Sequence, residues 1–245
     1  MPGFEAHITT STALGVGVGA LGYSQGMPLT SSVIAAGLCS LGGMLPDMDG
    51  DTGVPVRETL AMVSAAVSVM MIDLFRVWGF DREQIIIAAG TLYLLVRFGL
   101  GGIFKNYTVH RGMWHSIPAA LTAGMVIFLV CSYQELGPRL FKSVAVTLGF
   151  LSHLVLDEIA SFEVENGRIR VKRSLGTALK FWTNAGWWPN VSTYGKLAIL
   201  VGLSFHCFNC AANSGPESTR MATKELLPIA EEMVISTSSP NEEER

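Results

Sequence analysis

Apolar segments of about twenty residues recur along the whole chain, and they constrain its fold more than any other feature. A helix of roughly 20 apolar residues is long enough to cross the hydrocarbon core of a bilayer. The segments cover approximately residues 8–24, 29–46, 58–78, 84–104, 114–133, 140–160 and 193–212. Only 15% of the 245 residues are charged, compared with about a quarter in soluble domains. The sequence therefore predicts an all-α, polytopic transmembrane helical bundle of six to seven spans.

Polar stretches divide the chain into a membrane domain and a tail. We expect residues 1–213 to form a single transmembrane helical domain, with a polar loop over 161–192 before the last span. In this loop, Gly167 and the alternation of charged and apolar residues over 168–172 predict a short β-hairpin. Residues 214–245 are polar and end in Ser-Pro-Asn-Glu-Glu-Glu-Arg, which is typical of a disordered terminus.

The distribution of charge indicates which partners and which orientation to expect. A net charge of −3 without a long block of Lys and Arg argues against a nucleic-acid partner. If all the segments span, the amino terminus and the loops 47–57, 105–113 and 161–192 share the side that is richer in Lys and Arg. The positive-inside rule then places the amino terminus in the cytoplasm. We expect an integral membrane protein in contact with the lipid bilayer.

Four polar clusters interrupt the apolar chain, and the alternation of spans puts all of them on one side of the membrane. They are His7, residues 45–51 (Leu-Pro-Asp-Met-Asp-Gly-Asp), residues 110–116 (His-Arg-Gly-Met-Trp-His-Ser) and residues 152–158 (Ser-His-Leu-Val-Leu-Asp-Glu). Four clusters placed at random would share one side about one time in eight. The sequence therefore predicts that they converge on one site.

Two of the clusters carry carboxylates at spacings that suit a cation. His153 and Asp157 are four residues apart, so they lie on one face of a helix and are close enough to bind one metal ion. A structural pair at a helix end would have the same spacing. Asp47, Asp49 and Asp51 alternate after a Pro, and alternate carboxylates can converge on a cation. A solvated acidic turn has the same composition.

The third cluster combines imidazoles with a cation. Neutral imidazoles at His110 and His115 suit zinc, manganese or iron. Arg111 can hold an anionic group such as a phosphate, and Ser116 stands at a cap-like position before the next helix. Histidines also occur in surface loops without any chemical role. Here, however, most of the five histidines of the chain lie in these clusters.

These motifs, in this order, resemble those of the YdjM-like family of membrane-bound metal-dependent hydrolases. The resemblance covers approximately residues 5–160 and rests on an early His, Leu-Pro-Asp-Met-Asp, His-Arg-Gly-Met-Trp-His-Ser and Gly-Phe-Leu-Ser-His-Leu-Val-Leu-Asp. It implies a bacterial inner-membrane protein that binds a divalent metal ion. Carried across by position, the ligands that it implies are His7, Asp47, Asp49, His110, His115, His153 and Asp157. The chain departs from the usual family pattern in the long apolar region 52–104 and after residue 193.

The expected function is a membrane-embedded metal-dependent hydrolase that uses zinc, or else manganese or iron, at the cytoplasmic face. Asp49 or Asp157 could act as general base, while Arg111 stabilises developing negative charge and Ser116 completes the motif. The order of the ligands is also loosely similar to that of zinc-dependent phospholipase C, which points to phosphoester or lipid-linked substrates. The alternative is a non-catalytic metal-binding membrane protein, either a transporter or a sensor.

Other features indicate structure more than chemistry. Gly15 and Gly19 have the spacing that lets two membrane helices approach closely. The aromatic stretch 181–188 is typical of a membrane interface. Arg97 lies inside the fourth apolar segment and needs a partner there, and Asp73 is one possibility.

Overall fold

A computed structural model describes residues 3–49, 54–100, 113–132, 134–165, 168–171, 179–183 and 186–207. It gives only the backbone at 49, 54–55, 100, 162–165 and 168–171. The chain divides into two units, residues 1–202 and 203–245. In the second unit, 203–207 are helical.

Helices make up nearly all of the described part of the first unit. They are α1 (Phe4–Ser24), α2 (Leu29–Gly42), α3 (Val54–Met70), α4 (Ile72–Val77), α5 (Arg82–Leu94), α6 (Ile117–Val130), α7 (Leu136–Ile159) and a last helix, α8, over 187–202. A 3₁₀ turn, Leu45–Asp49, follows α2, and a π-helical turn, Leu95–Leu100, follows α5. The helical fold class predicted from the apolar segments is confirmed.

The number of membrane spans remains a prediction. Two helical stretches of the described residues, Val56–Val77 and Leu136–Ile159, are long and apolar enough to cross a membrane. By contrast, α2 and α6 have 14 residues each. Because a helix rises 1.5 Å per residue, each is about 21 Å long, shorter than the roughly 30 Å of a hydrocarbon core. The seven-span bundle is therefore not confirmed.

Small residues let α1, α2 and α7 approach one another closely. A Cβ atom at Gly15 would collide with the carbonyl oxygen of Ala36, and one at Gly149 would collide with that of Cys39. Gly19 faces Ser32 in the same way, which confirms the helix-contact role predicted for the Gly15 and Gly19 spacing. This three-helix contact matters for function, because α1, α2 and α7 each lead to one of the polar clusters.

The outer faces of the helices carry large apolar side chains, for example Leu21, Val69, Ile86 and Phe98, each more than half exposed. Water would penalise such a surface, whereas lipid would not.

Beyond α7, strands β1 (Phe162–Glu165) and β2 (Arg168–Val171) pair antiparallel, which confirms the predicted hairpin.

Candidate metal centre

The described members of the four polar clusters come together at one end of the helices. His7 lies near the start of α1, and Asp47 lies in the 3₁₀ turn that follows α2. His115 directly precedes the cap of α6, while His153 and Asp157 occupy the last turns of α7. The prediction of one convergent site is confirmed for these five residues, which the chain brings in from four separate segments.

His153 is the centre of the arrangement. Its Nε2 atom lies 3.6 Å from Asp47 Oδ1 and 3.6 Å from Asp157 Oδ2. The distance from His7 Nε2 to Asp157 Oδ1 is 3.4 Å. The ring of His7 stacks on that of His153 at 3.7 Å between centroids, and the ring of His115 meets it edge-on at 5.7 Å.

These residues form two overlapping groups of candidate ligands. One group is His7, His153 and Asp157, and the other is Asp47, His115 and His153. Within each group, one ligand atom per residue lies within 4.8 Å of the others. Both groups contain His153, so they are two halves of one cluster.

Hydrogen bonding decides which nitrogen of His153 is available to bind a metal ion. Its Nδ1 atom lies 2.8 Å from the carbonyl oxygen of Gly43. A carbonyl can only accept, so Nδ1 must be the donor and carry the proton. In the neutral ring Nε2 then bears the lone pair. This atom is buried and has no hydrogen-bond partner among the described residues, and the same holds for Nδ1 of His7.

The separations fit metal coordination better than direct hydrogen bonds. Hydrogen bonds from nitrogen to oxygen are usually about 2.7–3.2 Å long, and all three separations exceed that range. Around a tetrahedral zinc ion with bonds of about 2.0–2.2 Å, neighbouring ligand atoms lie roughly 3.3–3.6 Å apart. The donor set of imidazoles and carboxylates also suits a divalent metal.

The charge of the cluster points the same way. Asp47 and Asp157 bring two carboxylates to His153, and the side chain of Asp157 is only 10% exposed. Buried carboxylates are costly unless they are paired or bind a metal. If the imidazoles are neutral, a divalent cation balances the two negative charges. The residues present therefore fit a divalent metal ion.

Two supporting contacts were not predicted from the sequence. The indole Nε1 of Trp114 donates a hydrogen bond of 2.9 Å to the carbonyl of Leu45, which ties the His115 segment to the Asp47 turn. The carbonyl of Gly43 orients His153, and Gly43 itself packs against Ser11 of α1. Two sequence features could have indicated these contacts. Trp114 lies within the motif of residues 110–116, and Gly43 belongs to the Gly-Gly pair at the end of α2.

The other predicted site residues have different outcomes. Ser116 is fully buried and caps α6, where its hydroxyl accepts from the amide of Ala119 and donates to the carbonyl of Met113. The cap-like position is thus confirmed, while a catalytic role for Ser116 stays a prediction. Asp49 ends the 3₁₀ turn, but its side chain lies outside the described part, as do His110 and Arg111 entirely.

The partner suggested for Arg97 is corrected. Asp73 forms an ion pair with Arg76 on the next turn, at 3.1 Å, and both side chains are largely exposed. The (i, i+3) spacing within one helix makes this pair a local contact. Arg97 lies in the π-helical turn Leu95–Leu100.

The sequence was compared with protein-family models, curated proteins and solved structures. The family model described as YdjM inner membrane protein matches residues 1–168. The chain belongs to the YdjM inner membrane protein family. The match contains all five residues of the cluster, and together with the two apolar helices it supports a membrane location for this YdjM-family chain. No curated protein and no solved structure matches the chain.

Proposed function

We propose that this YdjM-family protein is a membrane-embedded hydrolase that depends on one divalent metal ion, with zinc as the first candidate. The observation that carries the proposal is the buried Nε2 atom of His153, which has carboxylate oxygens on two sides at ligand-like separations. A bound divalent metal would polarise the scissile group and lower the pKa of a bound water toward neutrality.

The exposure of the ligands indicates the side from which a substrate approaches. The rings of His7 and His153 are buried, whereas the side chain of Asp47 is 29% exposed. His115 is also partly exposed. A substrate therefore reaches the cluster past Asp47 and His115, while His7, His153 and Asp157 form its closed floor.

Each described residue then has a specific task. The Gly43 carbonyl holds the proton of His153 on Nδ1, so that Nε2 stays a ligand. The Trp114 hydrogen bond keeps His115 beside the Asp47 turn. Asp47 is the most exposed described carboxylate of the cluster, and only its Oδ1 faces His153. Its other oxygen is therefore the described atom best placed to accept a proton from an attacking water. We also propose that Asp49, Arg111 and Ser116 take part in catalysis. In this proposal Arg111 binds a phosphate group of the substrate.

We further propose a phosphoester or lipid-linked substrate and a bundle of about seven spans with the motif end in the cytoplasm. His7 lies near the start of α1, and His153 and Asp157 lie in the last turns of α7. Asp47 and His115 lie in the segments that join helices, as expected for a site at the membrane surface. A transport path would instead place its polar groups near the middle of the spans. This position favours a hydrolase that reaches lipid head groups over a transporter.

Metal analysis combined with a substrate screen tests the proposal. The full chain is purified in detergent, its metals are measured, and hydrolysis of aryl phosphate, aryl phosphodiester, carboxylic ester and phospholipid substrates is assayed. We expect one equivalent of metal and hydrolysis of a phosphoester that Asp157→Asn abolishes and His206→Ala preserves. Metal binding without hydrolysis of any of these substrates would favour a sensor instead. A metal-free protein that hydrolyses substrate would refute the proposal.

A further inference from the structure

A second feature, independent of the metal cluster, is an apolar cavity of about 500 Å³ between α2 and α3. Its walls include Leu38 and Leu41 on one side and Met62 and Val69 on the other. Ligand sites commonly have volumes of about 300–1,000 Å³ and mostly apolar walls. The cavity is therefore large enough for part of a lipid molecule.

The polar lining of the cavity is confined to three residues, Asp73, Gln134 and Lys142. Lys142 is only 2% exposed, and among the described residues its ammonium donates one hydrogen bond, of 2.6 Å, to Gln134 Oε1. An ammonium has three hydrogens to donate, and a buried cation is costly unless an anion accompanies it. The carboxylate of Asp73 is already bound to Arg76. Asp73, Arg76 and Lys142 together carry one net positive charge. A single phosphodiester would balance this charge.

The polar end of the cavity, formed by Asp73, Gln134 and Lys142, lies at a depth along the helices that suits a lipid head group. Lys142 lies six residues after the start of α7, about 9 Å along the helix. Asp73 lies four residues before the end of the apolar stretch Val56–Val77. A Lys side chain at such a depth can extend to the head-group region. Along α7, Lys142 is about 16 Å from His153, so the polar end and the metal cluster lie toward opposite ends of this helix.

We propose that this cavity binds an acyl chain of a membrane glycerophospholipid, whose phosphodiester accepts hydrogen bonds from Lys142. The acyl chain covers Leu38, Leu41, Met62 and Val69, and the phosphate supplies the anion that the buried ammonium requires. This lipid is a resident ligand distinct from the hydrolase substrate. The inference does not rest on the proposed hydrolase function.

Lipid binding to the purified full chain tests the proposal. After delipidation in a neutral detergent, phosphatidylglycerol, phosphatidylethanolamine or diacylglycerol is added, and binding is followed by native mass spectrometry and thermal shift. We expect both phospholipids to bind and to raise the melting temperature, and diacylglycerol, which lacks a phosphate, to bind at least tenfold more weakly. Equal binding of diacylglycerol would overturn the role of the phosphodiester.

Variants locate the site. Lys142→Met should weaken phospholipid binding roughly 10- to 100-fold, because it removes a charge-assisted hydrogen bond, while Lys142→Arg restores most of it. Lys196→Met, at an exposed lysine, is the matched control. Ala65→Trp should fill the cavity and displace the lipid. Metal content, measured in every variant, reports whether the metal end remains folded and should not change. Wild-type affinity in both Lys142→Met and Ala65→Trp would overturn the proposal.

Discussion

His7 and His153 stack face to face, with ring centroids 3.7 Å apart and ring planes within 18°. Two protonated imidazoles at this distance would repel each other strongly in a buried site. In a metal-bound site, each ligating ring is neutral and offers a lone pair to the ion. The stack joins the second turn of α1 to the last turns of α7, so the metal cluster and the closure of the helix bundle depend on the same contact.

Removal of a central ligand should abolish metal binding. For His153→Ala and Asp157→Ala we expect a loss of metal affinity greater than the roughly 10- to 100-fold that loss of an outer partner causes. Metal analysis after dialysis against a weak chelator measures it. His206→Ala, at an exposed histidine, is the control. Full metal content in His153→Ala would contradict the ligand assignment.

The metal stoichiometry should be one ion per chain. Both groups of candidate ligands use His153, and its Nε2 is the one ring nitrogen left after Nδ1 binds Gly43. A lone pair on one nitrogen serves one ion. His7→Ala and His115→Ala, one from each group, should therefore both weaken the same binding event in a calorimetric titration. Two independent binding events, each lost in only one of these variants, would indicate a two-metal centre.

Trp114→Phe should weaken metal binding without removing a ligand. The substitution keeps an aromatic ring but loses the hydrogen bond to the Leu45 carbonyl, which holds the His115 segment against the Asp47 turn. We expect a loss of about 10- to 100-fold in metal affinity. Trp78→Phe, at an exposed indole, should bind metal like the wild type. An unchanged affinity in Trp114→Phe would show that the motif loop does not need this contact.

Gly15→Ala should destabilise the bundle, because the added Cβ collides with the Ala36 carbonyl of α2. Overpacking of this kind typically costs about 1–3 kcal/mol. Gly17→Ala on the same helix is the matched control, since no atom of another helix lies within 4 Å of the added Cβ. Thermal unfolding in detergent compares the two variants. Equal melting temperatures would mean that α1 and α2 are not in the close contact described.

Reporter fusions test the orientation. A predominance of Lys and Arg in the loops on the amino-terminal side predicts a cytoplasmic amino terminus and, for seven spans, an external tail. We expect a fusion at residue 4 to report the cytoplasm and a fusion after residue 215 to report the outside. If both fusions report the cytoplasm, an even number of segments spans.

The cluster of candidate metal ligands was largely predictable, because ionisable side chains are conspicuous in an apolar sequence. Ionisable residues within or beside membrane segments are costly, so His7, Asp47, His153 and Asp157 stood out against their neighbours. The predicted alternation of spans also put them on one side, and the structure brings the described ones together. The role of Asp73 was not predictable from depth alone, because the local contact with Arg76 competes with any distant partner.

Local periodicity and hydropathy are enough to locate the helical segments and to single out the candidate ligands, because ionisable residues are rare in apolar segments. How the candidate ligands meet depends on tertiary contacts. The stacking of His7 on His153, the choice of Nε2 by the Gly43 carbonyl and the Trp114 bond to Leu45 all join distant segments. Such contacts depend on interhelical distances, which the collisions at Gly15 and Gly149 limit and which no one-dimensional pattern encodes.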